Sequence, residues 1–118
     1  MRFLSVLLLL AGLASLSGCA AGPAGQATAA VSTNQVDLPP SYRFDPPTIQ
    51  VAVGTTVTWT NHDNFTHNVH LLGDRNWVSQ PLRPGERTSY TFAQAGTYPY
   101  QCDFHAHDMK GTVIVTAR

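Results

Sequence analysis

The chain has 118 residues, and seven Lys and Arg balance seven Asp and Glu, so the formal net charge at pH 7 is zero. Neither a basic stripe nor an acidic run is present, which argues against a nucleic-acid partner. Only two cysteines occur, and a disulfide framework is excluded if the first is modified as predicted below.

The N-terminal segment has the pattern of a secretory signal. Arg2 is followed by an apolar run over residues 3–16, shorter than the roughly 20 residues of a membrane-spanning helix. The run ends in Leu16-Ser17-Gly18-Cys19, which resembles the bacterial lipobox, whose cysteine is acylated. We therefore expect residues 1–18 to be a lipoprotein signal peptide and Cys19 to be lipidated. An ordinary signal peptide with an incidental cysteine is the alternative.

The segment after Cys19 predicts a tether. Residues 19–35 are rich in Ala, Gly, Ser and Thr and lack apolar periodicity, which is typical of a flexible linker. Residues 36–118 then remain for one small domain. These patterns together predict a monomer that is anchored by lipid to a membrane and lies outside the cytoplasm.

From residue 36 onward the chain reads as short β-strands separated by turn residues. In the predicted strands apolar and polar residues alternate, and β-branched and aromatic residues are frequent. These strands cover residues 48–53, 56–60, 67–72, 87–92, 97–102 and 112–116. Regular short strands with turn signals between them predict an all-β, two-sheet antiparallel sandwich. We expect Trp59, Phe92 and Tyr98 to lie in its core.

Three side chains that can bind a soft metal occur together between the last two predicted strands. Cys102, His105 and Met109 lie within eight residues, and a tight loop can turn them toward one point. A second imidazole has to come from a distant strand, and His67 is a candidate.

The donor types narrow the choice of metal. A thiolate, two imidazoles and a weak thioether form the donor set of blue copper. Zinc seldom takes methionine, calcium and magnesium take oxygens, and an iron–sulfur cluster generally needs four cysteines. Copper is the metal that remains.

The motifs around these residues resemble one family. Thr58-Trp59-Thr60-Asn61, His67-Asn68-Val69, Tyr100-Gln101-Cys102 and Met109-Lys110-Gly111-Thr112-Val113 are similar, in this order and separation, to motifs of the plastocyanin/amicyanin branch of the cupredoxins. The resemblance spans about residues 42–118 and implies a Greek-key sandwich that holds one type 1 copper ion.

The resemblance also implies a role for each residue. His67 would be the upstream ligand, Cys102 the thiolate, His105 the second imidazole and Met109 the axial thioether. Asn68 would brace the copper loop by hydrogen bonds. The loop spacing here is Cys-x2-His-x3-Met, between the x2 and x4 spacings of familiar members, which bears on the axial geometry and the reduction potential.

Three other histidines compete with these assignments. His107 could replace His105, but only Asp108 would then separate it from Met109, so we favour His105. His70 lies three residues after His67, and strand alternation points it to the opposite face. His62 lies in a turn, where histidines are usually solvated.

These observations predict single-electron transfer between transient protein partners, with no catalytic residue. A copper chaperone or storage protein is the alternative, although such sites are usually open and rich in methionine. A multicopper enzyme such as a nitrite reductase would need further ligands and usually a second domain. A non-metal adhesion sandwich would leave the grouping of Cys, His and Met unexplained.

Overall fold

The computed structural model describes residues 29–118, which form eight strands and two short 3-10 helices. The predicted signal peptide and Cys19 lie outside these residues. The strands are β1 (Val31–Ser32), β2 (Gln35–Leu38), β3 (Thr48–Ala52), β4 (Thr56–Asn61), β5 (His70–Leu71), β6 (Arg87–Thr91), β7 (Gly96–Gln101) and β8 (Lys110–Thr116). The 3-10 helices are Gly73–Arg75 and Asp103–His105. Within residues 29–118, no helix has the length and hydrophobicity to cross a membrane.

The strands form two sheets, one with the order β1-β3-β8-β7-β5 and one with the order β2-β4-β6. The prediction of an all-β, two-sheet architecture is confirmed, but the prediction that the sheets are antiparallel throughout is wrong. The pairs β1–β3, β2–β4 and β3–β8 are parallel. The alternation that predicts a strand reports which side chains are buried, and it carries no information on the direction of the neighbouring strand.

Two strands precede the first one that the sequence predicted. β1 and the start of β2 lie within residues 29–35, part of the segment assigned to the tether, so regular structure begins before residue 36. Both residues of β1 are exposed, and so they lack the apolar signal that marks a strand. β1 joins the larger sheet and β2 the smaller one, so this segment links the two layers of the sandwich.

Side chains that alternate along the strands fill the space between the sheets. β4 buries Val57, Trp59 and Asn61, and β8 buries Gly111, Val113 and Val115. Trp59 is fully buried, as predicted, and Phe92 is almost so, whereas Tyr98 is only partly buried against the core. This alternation is typical of strands with one face in the core and one in solvent.

A close contact between β7 and β8 fixes the strands that flank the β7–β8 loop, residues 102–109. Gly111 lies opposite Tyr100, and a Cβ atom at Gly111 would lie only 2.3 Å from Cζ of Tyr100. Any side chain there would have to displace a ring that is 1% exposed. The glycine therefore lets the buried Tyr100 ring pack directly over β8, just beyond Met109.

Candidate metal centre

A backbone bridge holds His67 against the segment that precedes β6. The His67 N–H donates to the Leu82 carbonyl at 3.0 Å, and the Leu82 N–H donates to the His67 carbonyl at 2.7 Å. The imidazole of His67 is 0% exposed. Because both backbone groups are bonded, the direction in which this side chain leaves the chain is fixed by the sandwich.

The β7–β8 loop closes on itself through its own backbone. The Cys102 N–H donates to the Met109 carbonyl at 3.1 Å, and the Met109 N–H donates to the His105 carbonyl at 2.9 Å. The His105 N–H donates in turn to the Cys102 carbonyl at 3.2 Å. These bonds hold the three residues on one compact turn, with Cys102 and Met109 fully buried.

The two segments bring three of the predicted donors together. Sγ of Cys102 lies 3.7 Å from Nδ1 of His67 and 3.8 Å from Nδ1 of His105. One donor atom from each residue lies within 4.8 Å of the others. Bonds of about 2.0 Å to nitrogen and 2.3 Å to sulfur, the values known for zinc, can span such gaps, so one ion fits among the three donors.

Met109, the fourth predicted donor, lies directly beside this cluster. Its carbonyl accepts the Cys102 N–H, and its side chain is 0% exposed. A buried methionine at this position also fills the core between the sheets. Its side chain is therefore buried and its backbone is bonded to that of Cys102, while ligation by its sulfur stays a prediction.

Asp63 is a residue of the site that the sequence reasoning missed. Its Oδ2 lies 2.8 Å from Nε2 of His67, and its side chain is only 4% exposed. Burial opposes ionisation, but the hydrogen bonds from His67 and from the Asn64 N–H outweigh it and hold the pKa of Asp63 below its ordinary value. A carboxyl four residues before a candidate histidine was the available signal, because metal-binding histidines commonly donate their second N–H to a carboxylate.

Asn68 connects the two segments of the site. Its side-chain oxygen accepts the Asp103 N–H at 2.8 Å, and its side-chain amide donates to the Asp103 carboxylate at 3.2 Å. The Asn68 backbone N–H lies 3.5 Å from Sγ of Cys102 and donates to it. A single side chain therefore ties the residue after His67 to the residue after Cys102.

Asp103 extends this connection to the surface. Its carboxylate accepts the Gln101 amide at 3.0 Å and lies 2.8 Å from Nδ1 of His70, whose Nε2 lies 2.9 Å from the Asn76 side-chain oxygen. The hydrogen bond from Gln101 lowers the pKa of Asp103. The bonds from His70 and Asn68 lower it further, and together they outweigh the opposite effect of burial. The bonds with Asn76 and Asp103 raise the pKa of His70.

Aromatic side chains cover the solvent side of the centre. Phe65 and Phe104 are each 54% exposed, and Tyr42 is 37% exposed. The ring of Tyr42 lies 4.4 Å from the ring of His105 and 5.5 Å from that of Phe65, measured between centroids. Residues 39–47 show no strand pattern, so nothing in the sequence indicates that Tyr42 packs against His105.

The other three histidines stay outside the cluster. The His107 side chain is 99% exposed, and its ring approaches only Asp108, at 3.2 Å. His62 is exposed and pairs with Asp37. His70 is directed to Asp103 and Asn76, as described above. Among the residues that the structure describes, only His67, Cys102 and His105 form a group of histidine, cysteine or acidic side chains close enough to hold a metal.

The comparison with known families agrees with this donor set. Residues 29–116 match the family of copper binding proteins that includes plastocyanin and azurin. The chain belongs to this family. It is 38% identical to the amicyanin of Paracoccus denitrificans over 77 residues, which cover 62% of this chain and 58% of the amicyanin. The match thus spans less than two thirds of that relative.

Solved structures agree on the fold. The chain resembles a purple cupredoxin from Nitrosopumilus maritimus with a TM-score of 0.63 and 32% identity, over 70% of this chain and 98% of that one. It also resembles a copper-containing nitrite reductase from Thermus scotoductus SA-01, with a TM-score of 0.63 and 31% identity. There the match covers 70% of this chain but only 22% of the nitrite reductase.

Proposed function

We propose that this protein is a type 1 copper electron-transfer protein that carries single electrons between redox partners outside the cytoplasm. The observation that carries the proposal is the convergence of Nδ1 of His67, Nδ1 of His105 and Sγ of Cys102 within 4.8 Å, at one end of a copper-family sandwich. One thiolate and two imidazoles are the strong donors that blue copper uses.

The residues have distinct parts in this proposal. His67 and His105 would offer imidazole nitrogens to the ion, Cys102 a thiolate and Met109 a thioether. When bound, copper would supply a one-electron couple between Cu(II) and Cu(I). The buried His67 and Cys102 exclude water, and the Asn68–Asp103 bonds hold the two segments in register. Such a frame would move little when an electron arrives, so we infer that the barrier to transfer is small.

We infer a carrier rather than an enzyme. Four protein donors around one ion leave no open position at which a substrate could bind, whereas catalytic metal sites keep such a position. The nitrite reductase resemblance covers about a fifth of that protein, so it supports a shared fold and carries no argument for the reaction.

We propose that partners dock on the exposed aromatic face formed by Tyr42, Phe65 and Phe104. Of these, Tyr42 contacts the ring of His105, the only one of the three clustered donors that is partly exposed. Electron-transfer encounters use small interfaces, so a face of this size is sufficient for a transient partner.

The cellular setting is also a proposal. The apolar run and the Leu16-Ser17-Gly18-Cys19 pattern support a lipoprotein signal over residues 1–18 and a lipid anchor at Cys19. We propose that residues between Cys19 and the first strand tether a monomeric domain to the membrane. An unpaired Cys102 in an oxidising compartment would be protected by burial and by the bound metal.

A visible absorption spectrum tests the proposed function. Copper(II) is added to the purified protein, followed by ascorbate and then by air. We expect an intense blue band that bleaches on reduction and returns on oxidation. Cys102→Ser should lose the band, whereas Met109→Leu should keep it but shift the reduction potential, because the axial ligand tunes that potential.

The same spectrum can also contradict the proposal. A pale protein, or a band that survives Cys102→Ser, would mean that this centre does not hold type 1 copper. Tight Cu(I) binding without the band, together with release of Cu(I) to a chelator, would support the copper chaperone or storage function instead.

A further inference from the structure

A buried carboxylate lies behind the buried histidine of the centre. Oδ2 of Asp63 is 2.8 Å from Nε2 of His67, and the side chains are 4% and 0% exposed. The opposite ring nitrogen, Nδ1, is the atom that faces Sγ of Cys102 at 3.7 Å. The two nitrogens of one imidazole therefore face an acidic group and the candidate metal position.

The carboxylate fixes which nitrogen carries the proton. An ionised carboxylate can only accept hydrogen bonds, so Nε2 of His67 must donate to it. A neutral imidazole has one N–H, and its Nδ1 must then carry a free lone pair. A metal ion on the side of Cys102 needs this tautomer. The hydrogen bond to the carboxylate also makes Nδ1 a more basic metal ligand.

We propose that Asp63 is a positioning residue for metal loading, because it holds His67 in the tautomer whose Nδ1 is ready to bind the ion. The inference rests on the proposed copper site and deepens it. On this inference, His67 already presents an unprotonated Nδ1 to the metal position before any metal binds.

Asp63 also has a local structural role, which has to be separated from the proposed one. Its Oδ1 accepts the Asn64 N–H at 2.7 Å, and its own N–H donates to the Asn61 side-chain oxygen at 2.8 Å. Asparagine can keep both of these bonds, since its amide oxygen can take the place of Oδ1. The amide nitrogen would then face Nε2 of His67.

That arrangement reverses the tautomer. An amide N–H₂ only donates, so Nε2 of His67 would have to accept and the proton would move to Nδ1, where it blocks the metal. Turning the amide around would instead place two donors against each other at Asn64. Asp63→Asn therefore preserves size and the turn but disfavours the metal-ready imidazole.

The first measurement is made without metal. Nitrogen-15 NMR of histidine-labelled, copper-free protein at about pH 8, above the ordinary histidine pKa, reports which ring nitrogen of His67 is protonated. We expect the proton on Nε2 in the unmodified protein and on Nδ1 in Asp63→Asn. A role confined to the turn would leave the tautomer unchanged.

The second measurement is the affinity for Cu(II), taken by competition with a chelator. Loss of a residue that orients a metal-binding histidine typically weakens metal affinity about 10–100-fold, and we expect Asp63→Asn to fall in this range. Asp37→Asn is the matched control, because Asp37 pairs with His62, which is exposed and lies outside the donor cluster. That variant should bind Cu(II) as the unmodified protein does.

Two results would overturn the proposal. One is an Nδ1 proton on His67 in the unmodified protein, which decides the matter even if Asp63→Asn does not fold. The other is an Asp63→Asn variant with an unchanged tautomer and a Cu(II) affinity within about twofold of the control. Either result leaves the proposed electron-transfer function standing if the unmodified protein is blue, so the two failures are distinguishable.

Discussion

The two segments that build the centre differ in how they are held. The segment around His67 is buried, bonded through its backbone to Leu82 and backed by Asp63. The β7–β8 loop is closed by its own backbone, and it leaves His105 partly exposed beneath Tyr42. One side of the centre is therefore fixed by the interior of the sandwich and the other by a short loop at its surface.

This difference teaches how a small domain can hold a redox centre and still exchange electrons with partners. The buried side supplies rigidity, because protein interiors are close-packed and hardly compressible. The exposed side supplies access, because electrons must reach a partner across a short gap. The two demands are met by different segments, and variants can separate them.

The largest effect is expected when each histidine is removed in turn. His67→Gly and His105→Gly should both abolish the blue band, whereas His107→Gly should leave it unchanged. Added imidazole should restore the band in His105→Gly, since that position opens to solvent, but not in His67→Gly, whose position is 0% exposed. Titration of each variant with imidazole, followed by visible absorption, makes the measurement.

The outcome of that titration can contradict the difference in accessibility between the two segments. Rescue of both glycine variants by imidazole would show that the segment around His67 is as accessible as the loop. Loss of the band in His107→Gly would mean that His107, rather than His105, binds copper, which is the alternative that the sequence left open.

An intermediate effect is expected at the aromatic face. If partners dock on this face, electron self-exchange between reduced and oxidised copies of the protein should bring two such faces together. Phe104→Glu should slow this exchange about tenfold or more. Substituting an important interface residue weakens binding by at least ~1.4 kcal/mol, and the two introduced carboxylates would also repel each other. NMR line broadening in mixtures of the two forms gives the rate.

Val53→Glu serves as the control for this prediction. Val53 is 40% exposed, similar to the aromatic residues, but its N–H bonds to Thr116, at the end of β8 remote from Met109. Its exchange rate should match that of the unmodified protein. An equal rate in Phe104→Glu would place the docking face elsewhere.

The smallest effect concerns His70 and the pH dependence of stability. Bonds with Asn76 and Asp103 raise the pKa of His70, so the folded state favours its protonated form. The stabilisation is therefore complete below the unfolded pKa of about 6.5 and is lost as pH rises through the higher folded value. A partly exposed pair of this kind contributes about 0.2–1 kcal/mol.

Urea unfolding of the copper-free protein across this pH range measures the effect. His70→Gln should flatten the pH dependence of the free energy of unfolding, whereas His107→Gln, at a side chain that is 99% exposed, should not. A pH profile that is identical in His70→Gln and the unmodified protein would show that the His70–Asp103 pair adds nothing to stability.

Much of the fold could be predicted from the sequence because strand alternation is a local property. The predicted strands over residues 48–53, 56–60 and 87–92 differ from β3, β4 and β6 by at most one residue at either end. The predicted strand over residues 67–72 shrank to β5, because His67 itself makes only an isolated bridge with Leu82. The family and its copper followed from residue types and spacing, which are likewise local.

The rest depends on contacts that no local pattern encodes. The parallel partners of β3 were missed because the pattern of β3 is the same for either direction of its neighbour. Asp63 looked like an ordinary turn residue until its carboxylate was found against His67. Tyr42 reaches His105 from a segment without regular structure, where sequence gives no packing direction.

The parallel pairing of β3 with β8 also bears on how the protein is made. Ile49 pairs with Val113, so the central ladder of the larger sheet joins segments separated by more than half of the 118-residue chain. Such non-local pairing slows folding, because a long loop must close before its contacts form. We therefore expect an exported chain to be unable to bind copper until its last strand has crossed the membrane and paired with β3. The same topology that fixes the centre thus also sets the point in export at which the centre first exists.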